Sequence, residues 1–235
     1  AVGIEFIGSS PTVNETREWD FYSGAEITWE ELDQHLDVQR DIYPIIRQRI
    51  VDLIKTSRKV EIFTIRHKPG SGATTISRRL AYDIRMEDAS GNLQCTVIEI
   101  RSCSNIRLME EYLAQLSETV ENTCVLAIVD AKRVGREKFD WITKKMSDSG
   151  KRIIFVYLET YTRKPFGQKE NLVYLDDRLS SDEIKRFTFK YLKLGLDEKM
   201  LTKARQGNHH LEVIDFPLML KDNETSSNLS SYVKE

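Results

Sequence analysis

Short stretches dense in apolar residues alternate along this chain with longer stretches in which apolar residues recur at helical spacing. The dense stretches lie at 60–65, 96–100, 124–129, 152–158 and 172–175, each about the length of one strand. Helical spacing is clearest at 42–56, where Ile46, Ile50, Leu53 and Ile54 share a face. Pro44 falls in the first turn of that helix, where a missing N–H costs little. The spacing recurs from Thr75, with Ile76, Leu80, Ala81 and Ile84, and again at 106–120 and 137–146. Strands that are largely apolar, alternating with helices, predict a parallel sheet covered on both faces and hence an α/β fold. Thr28 with Glu31 makes a capping box for a short helix at 29–35. Beyond residue 179 the pattern is helical throughout. Ser181 is read as the cap of a helix at 182–194, a second helix follows at 197–206, and a third begins near Pro217. The predicted organisation is an arm or linker at 1–18 with a short strand at 2–7, an α/β domain at 19–179, a helical subdomain at 180–221, and a loosely ordered or truncated tail from 222.

Between the strand at 60–65 and the helix from Thr75 lies the loop His67-Lys68-Pro69-Gly70-Ser71-Gly72-Ala73-Thr74. Strand, glycine loop and helix in that order form a phosphate-binding P-loop. Its glycines let backbone N–H groups turn inward around a polyphosphate, and the helix N-terminus adds partial positive charge. Against the pattern G-x-x-x-x-G-K-[ST], His67 stands at the first glycine and Ala73 at the phosphate-gripping lysine. Thr74 keeps the hydroxyl that reaches a magnesium ion. Lys68, inside the loop, is a partial substitute for the absent lysine. Arg78 and Arg79 are expected to point away from the loop onto a solvated face.

Proteins of this kind hold magnesium through an aspartate ending the strand next to the loop's strand, and Asp130 after CVLAIV has that form. Ala131 follows where a second, water-activating acid often stands, which predicts slow hydrolysis or none. Glu159, after the next strand, is the nearest replacement acid. Arg163, in the loop beyond it, is a candidate sensor of the γ-phosphate. Arg40 offers a planar face for stacking on a base. His209 and His210 have no third metal ligand at useful spacing and read as a polar loop.

With 235 residues, the chain is long enough for one α/β domain and a small appendage. Thirty-five Lys+Arg against 37 Asp+Glu give a formal net charge of −2, so nothing in the overall charge calls for nucleic acid. No apolar run approaches the roughly 18–20 residues that span a bilayer. Three scattered cysteines predict a reducing compartment, with Cys95 and Cys124 as buried apolar residues. A start at Ala1, with no Met and no signal-peptide pattern, predicts a piece of a longer protein.

The order DVQRD, HKPGSGATT, CVLAIVD, an arginine-bearing loop after RIIFVYL, LSSDEIKRF and DFPLML resembles the STAND class of signal-transducing P-loop NTPases. The similarity is to the divergent branch found in bacterial antiviral defence proteins and vertebrate sterile-alpha-motif antiviral proteins, and it covers residues 20–220. It implies a P-loop NTPase with a parallel sheet flanked by helices, followed by a small helical subdomain. It implies ATP or ADP with Mg2+ as cofactors, the backbone from Lys68 to Thr75 around the phosphates, and Thr74 and Asp130 on the metal. The family's upstream arginine near the adenine corresponds to Arg40, its sensor arginine to Arg163, and the proline of its G-x-P motif to Pro217. The glycine before that arginine is Gln39 here, and the glycine of G-x-P is Asp215. The implied function is a cytoplasmic switch of innate immunity or antiviral defence. Such a switch holds ADP at rest, takes ATP on a trigger, self-associates, and drives effector and sensor domains of the same full-length protein. A non-catalytic scaffold for protein–protein contacts on the same fold is the other reading these residues allow.

Overall fold

The computed structural model describes residues 2–6, 21–22, 25–119, 123–161, 171–199, 202, 211–213, 215–219 and 222. Among the described residues six strands form one sheet in the order β1-β3-β4-β5-β2-β6. They are β1 (Val2–Phe6), β2 (Glu61–His67), β3 (Cys95–Cys103), β4 (Cys124–Asp130), β5 (Ile153–Thr160) and β6 (Leu172–Leu175). All neighbouring pairs are parallel except β1 with β3. The short strand expected within the N-terminal arm is therefore an antiparallel edge of the sheet.

The helices are α1 (Trp29–Asp33), α2 (Tyr43–Thr56), α3 (Ala73–Ala89), α4 (Ile106–Thr119), α5 (Ala131–Val134), α6 (Arg136–Asp148) and α7 (Ser181–Lys193). Successive strand residues point to opposite faces, and the central strands are apolar on both. In β4, Cys124, Leu126 and Ile128 pack with α2 and α3, whereas Val125, Ala127 and Val129 pack with α4, α5 and α6. In β5 the sets are Ile154, Val156 and Leu158 against Ile153, Phe155 and Tyr157. Each buried Ile, Leu or Phe contributes about 1.5–3 kcal/mol over an exposed one, so both layers are firmly held. Phe139 on α6 stacks on Tyr157 at 4.1 Å and meets Phe155 edge-on at 5.5 Å. All three cysteines are buried and unpaired.

Three expectations are corrected. α3 begins at Ala73, two residues early, because Gly72 in the left-handed region starts the turn and its carbonyl already accepts from Ile76 N–H at 2.9 Å. The cap of α7 is Ser180, since its side chain accepts from Glu183 N–H and the Glu183 carboxylate accepts from Ser180 N–H at 2.8 Å. β5 lies between β2 and β4, so Asp130 is not on the strand next to the P-loop strand. Residues 215–219 are helical, as expected near Pro217. Most of the helix expected at 197–206 lies outside the described residues.

Candidate nucleotide-binding site

The parallel strands deliver His67, Asp130, Thr160 and Leu175 to one edge of the sheet, where ligands of open α/β sheets bind. A cavity of about 320 Å³ opens there. Its floor is the loop after β2 and the first turn of α3, with Pro69, Gly70, Ser71, Gly72, Ala73, Thr74 and Thr75 on the wall together with His67. Gly70 and Gly72 have φ of 78° and 81°, values that side chains resist. Among the described residues a Cβ on Gly72 would meet only Val213 Cγ1 at 3.8 Å, so the requirement that shows at this position is the positive-φ backbone. Among the described residues no side chain caps α3, which leaves its opening N–H groups for a ligand. Ser71 is 1% exposed, and among the described residues its buried Oγ has no hydrogen-bond partner. A polyphosphate fits this chemistry because it brings acceptors to donors that are otherwise unmet.

Arg40 is not a free planar face. Its Nε donates to Glu183 Oε1 at 2.7 Å, Nη1 to the Ser71 carbonyl at 2.7 Å, and Nη2 to the carbonyls of Asp176 and Arg178 at 3.1 and 3.2 Å. One buried guanidinium thus ties the P-loop to the N-terminus of α7 and to the segment after β6, while still lining the cavity. Above the loop the wall is aromatic, formed by Phe21, Tyr22, Phe187 and Tyr191, with Val213 and Pro217 beside them. Tyr22 meets Tyr191 edge-on at 5.5 Å and anchors its hydroxyl on the Leu36 carbonyl at 2.9 Å. Phe187 and Tyr191 lie one turn apart on α7, on the same buried face as Glu183. Their spacing was visible in the sequence, but nothing local pointed that face at the loop.

Thr74 and Asp130 line the same cavity. Asp130 caps α5, its Oδ1 accepting from Lys132 N–H at 2.8 Å. Among the described residues no group of three His, Cys, Asp or Glu is close enough to hold a metal. A magnesium ion on Thr74 and Asp130 would therefore need oxygens from the nucleotide as well.

Other candidates lie elsewhere. Lys68 is off the cavity wall, bridging Asp177 at 2.9 Å and Asp176 at 3.2 Å, and those carboxylates, Asp177 first, raise its pKa. Glu159 is also off the wall, between Arg66 at 2.6 Å and Arg136 at 3.3 Å. Arg163, His209 and His210 fall outside the described residues. Arg78 and Arg79 are not on a solvated face; they are 4% and 8% exposed. Arg78 donates to the Ile27 carbonyl at 2.7 Å and pairs with Glu26 and Glu99, while Arg79 donates to the Leu32 carbonyl at 2.7 Å and pairs with Asp37. The segment around α1 packs against α3 and supplies these acceptors except Glu99, which lies on β3. Lys132, not singled out from the sequence, lines the cavity.

Sheet order, glycine loop and strand-end aspartate together define the P-loop NTPase fold. The chain belongs to the STAND NTPases: it matches the family Novel STAND NTPase 5 over residues 19–164, more than half its length. That membership supports a nucleotide-binding module. Among solved structures it is similar in fold to Drosophila ORC bound to DNA, at 10% identity and TM-score 0.51, covering 97% of this chain and 65% of that one. It is likewise similar to a chain of the E. coli MS115-1 HORMA:CdnC:Trip13 complex, at 10% identity and TM-score 0.50, covering 72% and 74%. C. elegans PCH-2 matches at 12% identity and TM-score 0.43; the match covers 69% of this chain but only half of PCH-2. No curated protein matches the sequence. Among the described residues no helix is long and apolar enough to cross a membrane.

Proposed function

We propose that the chain is the ATP/ADP-binding switch and self-association module of a larger cytoplasmic immune or antiviral-defence protein, with slow hydrolysis or none. In this reading residues 19–179 are the P-loop domain and 180–221 the helical subdomain that senses it. The observation that carries the proposal is the cradle: two positive-φ glycines, an uncapped helix start and an unmet buried Ser71 hydroxyl around one cavity. Gly70 to Thr75 hold the phosphates, and Thr74 and Asp130 hold Mg2+. The aromatic wall with Pro217 takes the base, and Arg163 reports the γ-phosphate. Ala131, beside Asp130, leaves no acid there to activate water, which supports a switch over a turnover enzyme. Arg40 suits a switch because it bonds the loop and α7 at once. Effector and sensor functions belong to other parts of the full-length protein.

The scaffold reading draws on one observation: Lys68 and Glu159, both near the loop, are tied into internal ion pairs. The thermal midpoint with and without Mg-ATP separates the two. Saturating nucleotide at about a thousandfold over Kd stabilises by about 4 kcal/mol, visible as a shift of several degrees. No shift, and no heat in calorimetry, would leave the scaffold. Nucleotide-dependent change in oligomeric state, read by light scattering, tests the self-association part.

A further inference from the structure

We infer that Lys132 supplies the ammonium that an ordinary P-loop takes from its own lysine, gripping the β- and γ-phosphates from the end of β4. The inference rests on the nucleotide-binding reading above and names a residue that reading does not use.

Ala73 occupies the lysine position and presents only a methyl group to the cavity. The polyphosphate's charge must then be met from elsewhere. Among the described residues two lysines or arginines line the cavity, Arg40 and Lys132. Arg40 is spent on Glu183 and three carbonyls. Lys68, off the wall, is spent on Asp176 and Asp177. Among the described residues Lys132 has no carboxylate partner, although Glu26 and Asp130 line the same cavity. Glu26, on the same wall, is neutralised by Arg78 and Arg133, so it does not cancel a charge brought in by Lys132.

The local fold aims Lys132 at the site. β4 ends at Asp130, whose carboxylate caps α5 by accepting the Lys132 N–H at 2.8 Å. That turn fixes the Lys132 backbone within two residues of the proposed magnesium ligand. The side chain is exposed, and its four-carbon stem carries a mobile point charge across the cavity mouth. Because the backbone N–H rather than the ammonium makes the cap, replacing the side chain leaves the turn intact.

The test is calorimetry of Mg-ATP, ADP and AMP with the wild type, Lys132→Gln, Lys132→Arg and the double variant Ala73→Lys/Lys132→Gln. Expected for Lys132→Gln is a loss of about 10- to 100-fold in affinity for Mg-ATP, the scale of one charge-assisted contact, with AMP unchanged. Lys132→Arg should retain most of the affinity, and Ala73→Lys should restore it in the double variant. Equal Mg-ATP binding by wild type and Lys132→Gln overturns the inference and leaves the nucleotide reading standing. Equal losses for ATP and AMP overturn it too, since the residue would then be shaping the cavity. A wild type that binds none of the three removes the nucleotide reading and this inference with it.

Discussion

Arg40 Nε donates to Glu183 Oε1 at 2.7 Å across 143 residues of sequence, with the two side chains only 6% and 5% exposed. The same guanidinium holds the Ser71 carbonyl inside the P-loop. A change in the loop at Ser71 therefore reaches the start of α7 through a single side chain. A buried pair of this kind is costly to break from one side, because the survivor stays buried and uncompensated.

Arg40→Ala is expected to destabilise the protein by about 3–5 kcal/mol, which strands Glu183. Replacing both residues with apolar ones, Arg40→Met with Glu183→Leu, should cost less than Arg40→Ala alone. Urea denaturation of the single and double variants checks this. A double variant as unstable as the sum of its parts would mean the two side chains do not interact in solution.

Gly72→Val forces a β-branched side chain into a left-handed backbone, a strain of about 1–2 kcal/mol or more. If the loop gives way to relieve it, the inward N–H groups are lost. The expected result is a modestly lower thermal midpoint and no response to Mg-ATP. An unchanged response would show that the φ of 81° at Gly72 is not needed for binding.

Ala73→Lys returns an ammonium to the helix start. Mg-ATP binding should tighten by about tenfold or more, with little effect on AMP. Weaker or unchanged binding by titration calorimetry would mean that phosphates do not sit in the predicted register of the loop.

Asp176 offers a pH signature. Its hydrogen bond with Asp177, and then that from Lys68, hold its carboxyl well below the ordinary 3.8. A depressed folded value means its contribution is complete above pH about 4 and is lost as pH falls through that lower value. Lys68 is the reverse case: its raised value leaves the contribution intact below the ordinary 10.5 and loses it as pH climbs higher. In a carboxyl-carbon NMR titration, Lys68→Met should move the Asp176 midpoint up towards 3.8. A wild-type midpoint already at 3.8 would show that the bridge does not hold the segment after β6.

Local physics determined much of this protein from the sequence. Residues apolar on both faces of a strand, as in Cys124–Asp130 and Ile153–Thr160, can be satisfied only between two helical layers, so the α/β class and the elements were legible. Gly70, Gly72 and the helix behind them are contiguous, so the cradle was legible too. What only the tertiary structure decided depends on contacts far apart in the chain. The insertion of β5 between β2 and β4, and the use of Val2–Phe6 as a sheet edge, are pairing choices no single segment encodes. Arg78 and Arg79 read as surface residues because the acids that bury them, Glu26, Glu99 and Asp37, are 21 to 52 residues away. The cations follow the same logic. A lysine or arginine looks equally available anywhere in a sequence, and only the folded chain shows Arg40 and Lys68 already paired and Lys132 left facing the cavity.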